Sequence, residues 1–306
     1  MNAREERGQA FLMTVVFLTV LLGVAALAID VGSWFHAKRQ LQAAADAAAL
    51  AGAQALPESP ADASALAIQY AADNGHTLGA SGISFSTDIA ADDTITVQMS
   101  APEPGFFSKL FGIGTVTVGA HASARSDNID EALHASPIGV NLSHPDLSGQ
   151  ISGTPCPCFG VQTTLTLNKV GPGGFKLLDI DGSFGGINPH TLGDWMTNGL
   201  DAWMPLGQYY SDSGAKFNSP GVTAGLDANM NKELLFPVYD TVISNGSNLE
   251  YHVIGWVGFH LTGYLSRGNS GDLYGYFTRV IWQGLQGQRG GGGASDFGAR
   301  AVQLVN

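Results

Sequence analysis

Residues 10–56 read AFLMTVVFLTVLLGVAALAI, then DVGSWFHAKRQLQAAADAAALAGAQAL. The first stretch, Ala10 to Ile29, is 20 residues without a charge. A helix of that length is ~30 Å long, which matches the hydrocarbon core of a bilayer. Charges bracket the run, with Arg4 and Arg7 before it and Asp30, Lys38 and Arg39 after it. A helix apolar on every face belongs in a membrane or a large core, and the run predicts a single membrane span. Three fates of that helix compete: a permanent anchor, a secretory signal cleaved at Ala26-Leu27-Ala28, or a pilin-type leader cut after Gly8. A signal core is normally ~7–15 apolar residues, and the longer run here favours the anchor. Basic residues are balanced across the span, so their count does not orient it. The short segment 1–9 and the long acidic remainder favour a cytoplasmic N-terminus, with the bulk of the chain extracytoplasmic at the cell membrane.

The second stretch, 30–56, continues as helix. It lacks proline before Pro57 and is dominated by alanine, the strongest helix former. Trp34, Leu41, Ala45, Ala48, Gly52 and Ala55 recur at helical spacing, and Gly23 extends this small-residue stripe into the apolar run. Arg39, Gln42 and Asp46 mark another, polar face. Unbroken, residues 10–56 would form a rod of roughly 70 Å. Two readings of the stripe stand side by side. It packs on the chain's own domain, or it is a seam for partner helices, since small residues let backbones approach.

Arg7-Gly8-Gln9, the apolar run, Asp30-Val31-Gly32, and the segment from Lys38-Arg39 through Gln42 and Asp46 to Ala53 together resemble the TadE/TadG-like N-terminal region of the tight-adherence (Flp) pilus-assembly system. The resemblance covers about residues 7–56. It implies a bitopic envelope protein with a pilin-like stem, working with other pilin-like or pilus-assembly subunits through that stem. Pilin-type proteins carry a glutamate five residues after the cleavage site, and Met13 stands there in this chain, so cleavage after Gly8 is not expected.

Beyond Pro57, a short helix is expected over Ala61–Asn74, capped by Asp62 or Ser64. Alternating strands follow at Gly82–Ile89 and Thr94–Ser100, then a short apolar helical element at Phe106–Gly112 and a strand from Gly114 to Arg125. This order resembles a small pilin-like α/β head over 57–128. Four of the five tryptophans and seven of the eight tyrosines lie beyond Asn128. They mark a β-rich extracytoplasmic domain at 135–287, with strands at 161–168, 234–244, 251–264 and 273–283 and a short helix around Trp195. Turns are expected at Gly171-Pro172-Gly173-Gly174, Asp181-Gly182 and Asn245-Gly246. A flexible tail is expected over 288–306, beginning near Gly290–Gly293. The stretches around Asp179–Gly182, Asp194-Trp195, Pro237–Asp240 and Tyr251–Tyr264 resemble a module of envelope TadE/TadG-like proteins. The expected fold class is α+β: one transmembrane helix extending into a stalk, a small α/β head, then the β-rich domain.

Composition narrows the function. The chain of 306 residues is 44% hydrophobic and only 13% charged, with a net charge of −12; soluble domains usually run near ~25% charged. The acidic balance argues against nucleic acid, which requires a basic stripe. Two cysteines exclude a disulfide-dense scaffold and a multi-cysteine zinc module. They stand as Cys156-Pro157-Cys158, which leaves open free thiols or a bond to one another. No GxSxG, phosphate-binding loop or HExxH is present. Glu233 and Glu250 are the only glutamates of the second domain, and nothing in the sequence pairs them for glycoside hydrolysis. Asp179-Ile180-Asp181-Gly182-Ser183 starts like a calcium loop, but Phe184 and His190 occupy the positions of the loop glycine and the closing glutamate. His252 and His260 share a strand face ~26 Å apart, too far to share a metal. No catalytic residue, cofactor or metal ligand is therefore expected. The expected function is non-enzymatic assembly or anchoring of a tight-adherence pilus, as a pilin-like subunit or accessory. The competing function is a membrane-anchored binding module for a glycan or protein, with Trp256, Tyr264 and Trp282 facing the ligand; no small-molecule ligand is identifiable.

Overall fold

A computed structural model describes residues 3–151, 154–169, 173–183, 186–211, 217–245, 248–268, 270–286 and 295–305. The fold is α+β, a long N-terminal apolar helix followed by a β-rich region. The chain divides into two compact units, Met1–Arg125 with Gln303–Asn306, and Ser126–Val302.

In the first unit, helix α1 (Ala3–Ala53) merges the expected span and stalk into 51 continuous residues, ~77 Å at 1.5 Å per residue. It is long and apolar enough to cross a membrane; its most apolar 18 residues have a mean hydropathy of 2.7, and none is buried. The helix ends at Ala53, three residues short of Leu56, and the chain turns through 54–58. Helix α2 (Pro60–Asp73) starts earlier than expected, with Ser59 as its cap rather than Asp62 or Ser64. Ser59 Oγ accepts the Asp62 N–H at 3.2 Å. Pro60, which has no N–H to leave unsatisfied, suits the first helical position. Strands β1 (Ile83–Ser86), β2 (Thr94–Pro104) and β3 (Thr115–Ala132) form an antiparallel ladder, running unbroken from Thr94↔Arg125 to Pro104↔Thr115. The β1–β2 turn is held by buried Asp93, whose carboxylate accepts the N–H groups of Asp88, Ile89 and Ala90 at 2.7–2.9 Å.

The small-residue stripe of α1 is the core of this unit. Leu41, Ala45, Ala48 and Gly52 are buried. So are Ala63, Ala67 and Ala71, which recur every fourth residue on α2, and Ile95, Val97 and Met99, which alternate on β2. A Cβ at Gly52 would lie 2.6 Å from Ile95 Cδ1 and 2.9 Å from the Ala63 carbonyl oxygen. The seam for partner helices is thus corrected at these four positions: the chain's own α2 and β2 occupy it. Ala55 lies beyond the helix end and is half-buried. At Gly23 an added Cβ would meet nothing within 4 Å.

The second unit contains β4 (Ile138–Asn141), α3 (Pro145–Ser148), the short pair β5 (Gln150–Ile151) and β6 (Thr154–Pro155), β7 (Gln162–Leu167), β8 (Gly174–Asp179), α4 (Pro189–Asn198), β9 (Met204–Pro205), β10 (Gly207–Ser211), α5 (Pro220–Ala228), β11 (Glu233–Asn245), β12 (Asn248–Arg267), β13 (Ser270–Thr278), β14 (Val280–Ile281), β15 (Gly284–Gln286), β16 (Ser295–Asp296) and, as far as Val302, β17 (Ala299–Val305). The ladder β12-β11-β4-β8-β7-β13 returns to β12, so the sheet closes on itself. Closure removes the open edges that would otherwise invite pairing with other chains. Phe175, Phe236, Phe259 and Phe277 fill the core together with Leu192 and Met196 of α4 and Val222 and Leu226 of α5. Gly275 is required where β13 crosses β12, since a Cβ there would stand 2.1 Å from the His260 carbonyl oxygen.

Two expectations change. The strand expected over 273–283 stops at Thr278, because Val280 leaves β12 to pair in parallel with Ala299 of β17. The flexible tail expected over 288–306 is corrected for residues 295–305: β16 and β17 are strands, and Ala299, Arg300 and Ala301 are buried. Gly171, Pro172, Phe184, Gly246 and Gly290–Gly293 lie outside the described residues. The Gly52 contacts generate a prediction. Gly52→Leu should destabilise the first unit by at least about 1–3 kcal/mol through overpacking against a fixed backbone carbonyl, read as a lower melting temperature of the detergent-solubilised chain. An unchanged melt would contradict the packing described.

Candidate functional site

The residues quoted for the pilus-assembly resemblance separate onto two faces of α1. One face carries Asp30, Trp34, Ala37, Leu41, Ala48 and Gly52, spaced by helical turns, and all are buried or half-buried. Asp30 lies at the end of the uncharged run and is fully buried. Its carboxylate accepts three successive backbone N–H groups, Phe106 at 3.0 Å, Phe107 at 3.0 Å and Ser108 at 2.6 Å. These amides open the 3-10 turn Ser108–Phe111 in the β2–β3 connection, where helical N–H groups have no intrahelical partner. The aspartate thus supplies an acceptor that the turn lacks. One turn further, Trp34 Nε1 donates to the Pro104 carbonyl at 3.4 Å. Higher on α1, Gln42 Nε2 donates both to Asp46 Oδ1 and to the His121 carbonyl on β3, each at 2.8 Å. A cleft of about 310 Å³ runs past Gln42, Asp46, His121 and Leu304.

The opposite face carries Gly32, Phe35, His36, Arg39 and Ala43, all exposed. Of the quoted motif residues, then, Asp30, Gln42 and Asp46 hold the chain's own unit, whereas Gly32 and Arg39 are left outward. Arg7, Gly8 and Gln9 lie in α1, and their side chains fall outside the described residues.

In the second unit, the candidate groups pair internally. Cys156 and Cys158 are bonded to one another, and their amides donate to the carbonyls of Gly149 and Asp146. Buried His144 accepts the Asp146 N–H at Nδ1, 3.1 Å, which puts its proton on Nε2, facing Thr163 Oγ1 at 3.2 Å. Burial, aided by the Lys169 charge and opposed by Asp146, holds the His144 pKa below 6.5. His252 and His260 each meet a carboxylate, Asp240 at 2.9 Å and Glu233 at 3.0 Å. The hydrogen bond from His260 holds the Glu233 carboxyl below the usual range. Glu233 opposes His260 and Glu250 opposes Ile243 on one hairpin, which separates the two carboxylates by roughly 30 Å, far beyond a glycosidase pair. At the Asp179–Ser183 turn, Ser183 N–H binds Asp181 Oδ1 at 2.8 Å and Ser183 Oγ binds Asp179, so the aspartates tie the turn. Among the described residues, no group of three or more His, Cys, Asp and Glu side chains is arranged to hold a metal ion.

The aromatic binding face is corrected. Trp256 is buried in the core, Trp282 Nε1 donates to the Leu133 carbonyl at 2.7 Å, and the Tyr264 hydroxyl donates to Asp227 at 2.8 Å. Period-two alternation places aromatics on strand faces but does not say which face is inside. What sequence reasoning missed is the Asp30 partner: the 106–108 amides are more than seventy residues away, and the only signal was a charge ending an apolar run.

Two outcomes are expected. Asp30→Ala should speed amide hydrogen exchange at Phe106, Phe107 and Ser108 while leaving the β2–β3 ladder protected, with Asp30→Asn, which keeps one acceptor oxygen, in between; equal exchange in all three proteins would contradict the role. His144 is held neutral in the folded chain, so its contribution to stability is complete above 6.5 and is lost as pH falls from there through the lower folded-state pKa. Melting of the second unit should therefore drop as pH falls below about 6.5, and His144→Gln should flatten that slope.

Residues 8–55 match the family model described as "Putative Flp pilus-assembly TadE/G-like". No curated protein matches the chain, and no solved structure matches it. The match stops at residue 55, so the likeness noted for the stretches between Asp179 and Tyr264 has no counterpart in it. The Tad-like segment supports involvement in Flp pilus assembly, and its single candidate membrane helix fits a membrane-anchored protein. The N-terminal segment of this chain, with its Asp30-Val31-Gly32 step and its alanine-rich helix, is similar to the TadE/G-like family.

Proposed function

We propose that the protein is a non-enzymatic, membrane-anchored component of a tight-adherence pilus assembly, acting as a pilin-like subunit or accessory with its N-terminus cytoplasmic and its bulk extracytoplasmic. The observation that carries the reading is the division of α1. One face is consumed by the chain's own unit, and the opposite face, Gly32, Phe35, His36, Arg39 and Ala43, is exposed within a segment that matches the pilus-assembly model. Pilus-assembly subunits of the same kind are the proposed partners of that face. Close approach at Gly32, where nothing lies within 4 Å of a Cβ position, and the bare Phe35 ring supply the apolar contact, with Arg39 beside them. The hydrogen-bonded state of His144, His252 and His260 and the wide separation of Glu233 and Glu250 support a structural rather than a hydrolytic role.

The exposed face gives a cleaner test than the buried stripe, because its substitution leaves the core intact. Phe35→Asp should weaken co-purification of pilus-assembly subunits from solubilised membranes by about 2 kcal/mol or more, as expected for an aromatic anchor. Gly32→Leu should act in the same direction. The melting temperature of the isolated chain should stay that of the parent. Undiminished co-purification in both variants would remove the basis of the proposal.

A further inference from the structure

The β2–β3 connection is unusually apolar for an exposed turn. Phe106, Phe107, Leu110, Phe111 and Ile113 fall within eight residues, and Leu110 and Phe111 are 83% and 74% exposed. A cluster of large bare side chains calls for an occupant. Its place identifies one. Phe107, Leu110 and Phe111 form one wall of an apolar cleft of about 410 Å³ whose other wall is α1 between Leu22 and Ile29. That stretch of α1 belongs to the uncharged run that ends at Asp30. Leu22 to Ile29 covers ~10 Å of helix, so whatever lies alongside it lies inside the bilayer when the helix spans.

We infer that the Phe106–Ile113 turn is a second membrane contact of this protein, inserted beside α1 into the adjoining leaflet with its apolar side chains among lipid acyl chains. Non-helical backbone at that depth is tolerated only where its polar groups are satisfied within the protein, and seven of the N–H groups between Gly105 and Ile113 have partners within the chain. Asp30 accepts the N–H groups of Phe106, Phe107 and Ser108. The amides of Gly105, Leu110, Gly112 and Ile113 bond to the carbonyls of Gly114, Phe107, Lys109 and Ser108. Ser108 Oγ donates to the Ile113 carbonyl at 2.9 Å. Lys109, exposed at the same turn, can lay its aliphatic stem along the wedge and keep its ammonium at the headgroups. Trp34, one turn beyond Asp30, stands where interfacial tryptophans collect. The wedge would fix the depth and rotation of α1, which a lone helix leaves free.

The inference rests on α1 spanning the membrane, and the test separates the two. The full chain is reconstituted into phosphatidylcholine vesicles. The Cys156–Cys158 bond is kept oxidised, and a fluorophore is attached in turn to Leu110→Cys, to Val16→Cys within the span and to Asp73→Cys at the end of α2. All three positions are exposed, so labelling spares the fold. The expected result is that the 110 label behaves like the 16 label, quenched by nitroxide on the acyl chains and shielded from aqueous iodide, with a lipid-to-iodide quenching ratio several-fold above that at 73. A 110 label that iodide quenches as strongly as the 73 label, while the 16 label stays lipid-quenched, overturns the wedge alone. A 110 label shielded from both quenchers overturns it in favour of a protein occupant. A 16 label open to iodide overturns the span and the wedge together.

Discussion

Three amide N–H groups converge on the Asp30 carboxylate, and much of the first unit follows from that contact. A buried carboxylate is tolerable only when its oxygens are well supplied with donors, and three backbone amides left without acceptors would be costly in turn. Each side therefore requires the other. The contact fixes which face of α1 turns toward the β2–β3 connection. From Asp30 the same face continues through Trp34, Ala37, Leu41, Ala48 and Gly52. The small residues then bring α2 and β2 close enough for Ile95 and Ala67 to fill the space beside Gly52. The stalk is in this sense not a separate part: its inner face is the core of the unit, and only its outer face is free.

The second unit solves a different problem. Its strands are rich in aromatics, and a sheet with so much apolar surface would be hazardous with open edges. The closed ladder, in which β12 pairs with β11 on one side and β13 on the other, leaves the phenylalanines inside. The irregularities in β11–β12 pairing near Val238–Thr241 and in β12–β13 pairing near Leu261–Gly263 supply the bends that such curvature needs. His252 and His260 on these strands are paired with Asp240 and Glu233, and the aromatics once available to a ligand by sequence are spent on packing or on hydrogen bonds to the chain itself.

Much of this was legible in advance. The uncharged run of Ala10–Ile29, the alanine-rich continuation, the elements after Pro57 and the long strands of the second unit all follow from periodicity, propensity and punctuation, which are local properties of the chain. Boundaries slipped where a single residue chose between neighbours, as when Pro60 moved the start of α2 and Ser59 took the cap. The apparent tail at 295–305 was misread because a short strand next to a glycine run carries little local signal; its pairing with β14 is a long-range event.

The sequence by itself determined that one apolar helix leads the chain, that this helix continues as a small-residue rod, and that residues 8–55 resemble the TadE/G-like family. Hydropathy, alanine content and residue order need no partner to be read. Only the tertiary structure decided what the small-residue stripe packs against, which motif residues face inward, and that Asp30 satisfies the amides of an apolar turn more than seventy residues away. Those outcomes depend on which surfaces meet in space, and a helical stripe has the same spacing whether it faces its own domain, another subunit or lipid.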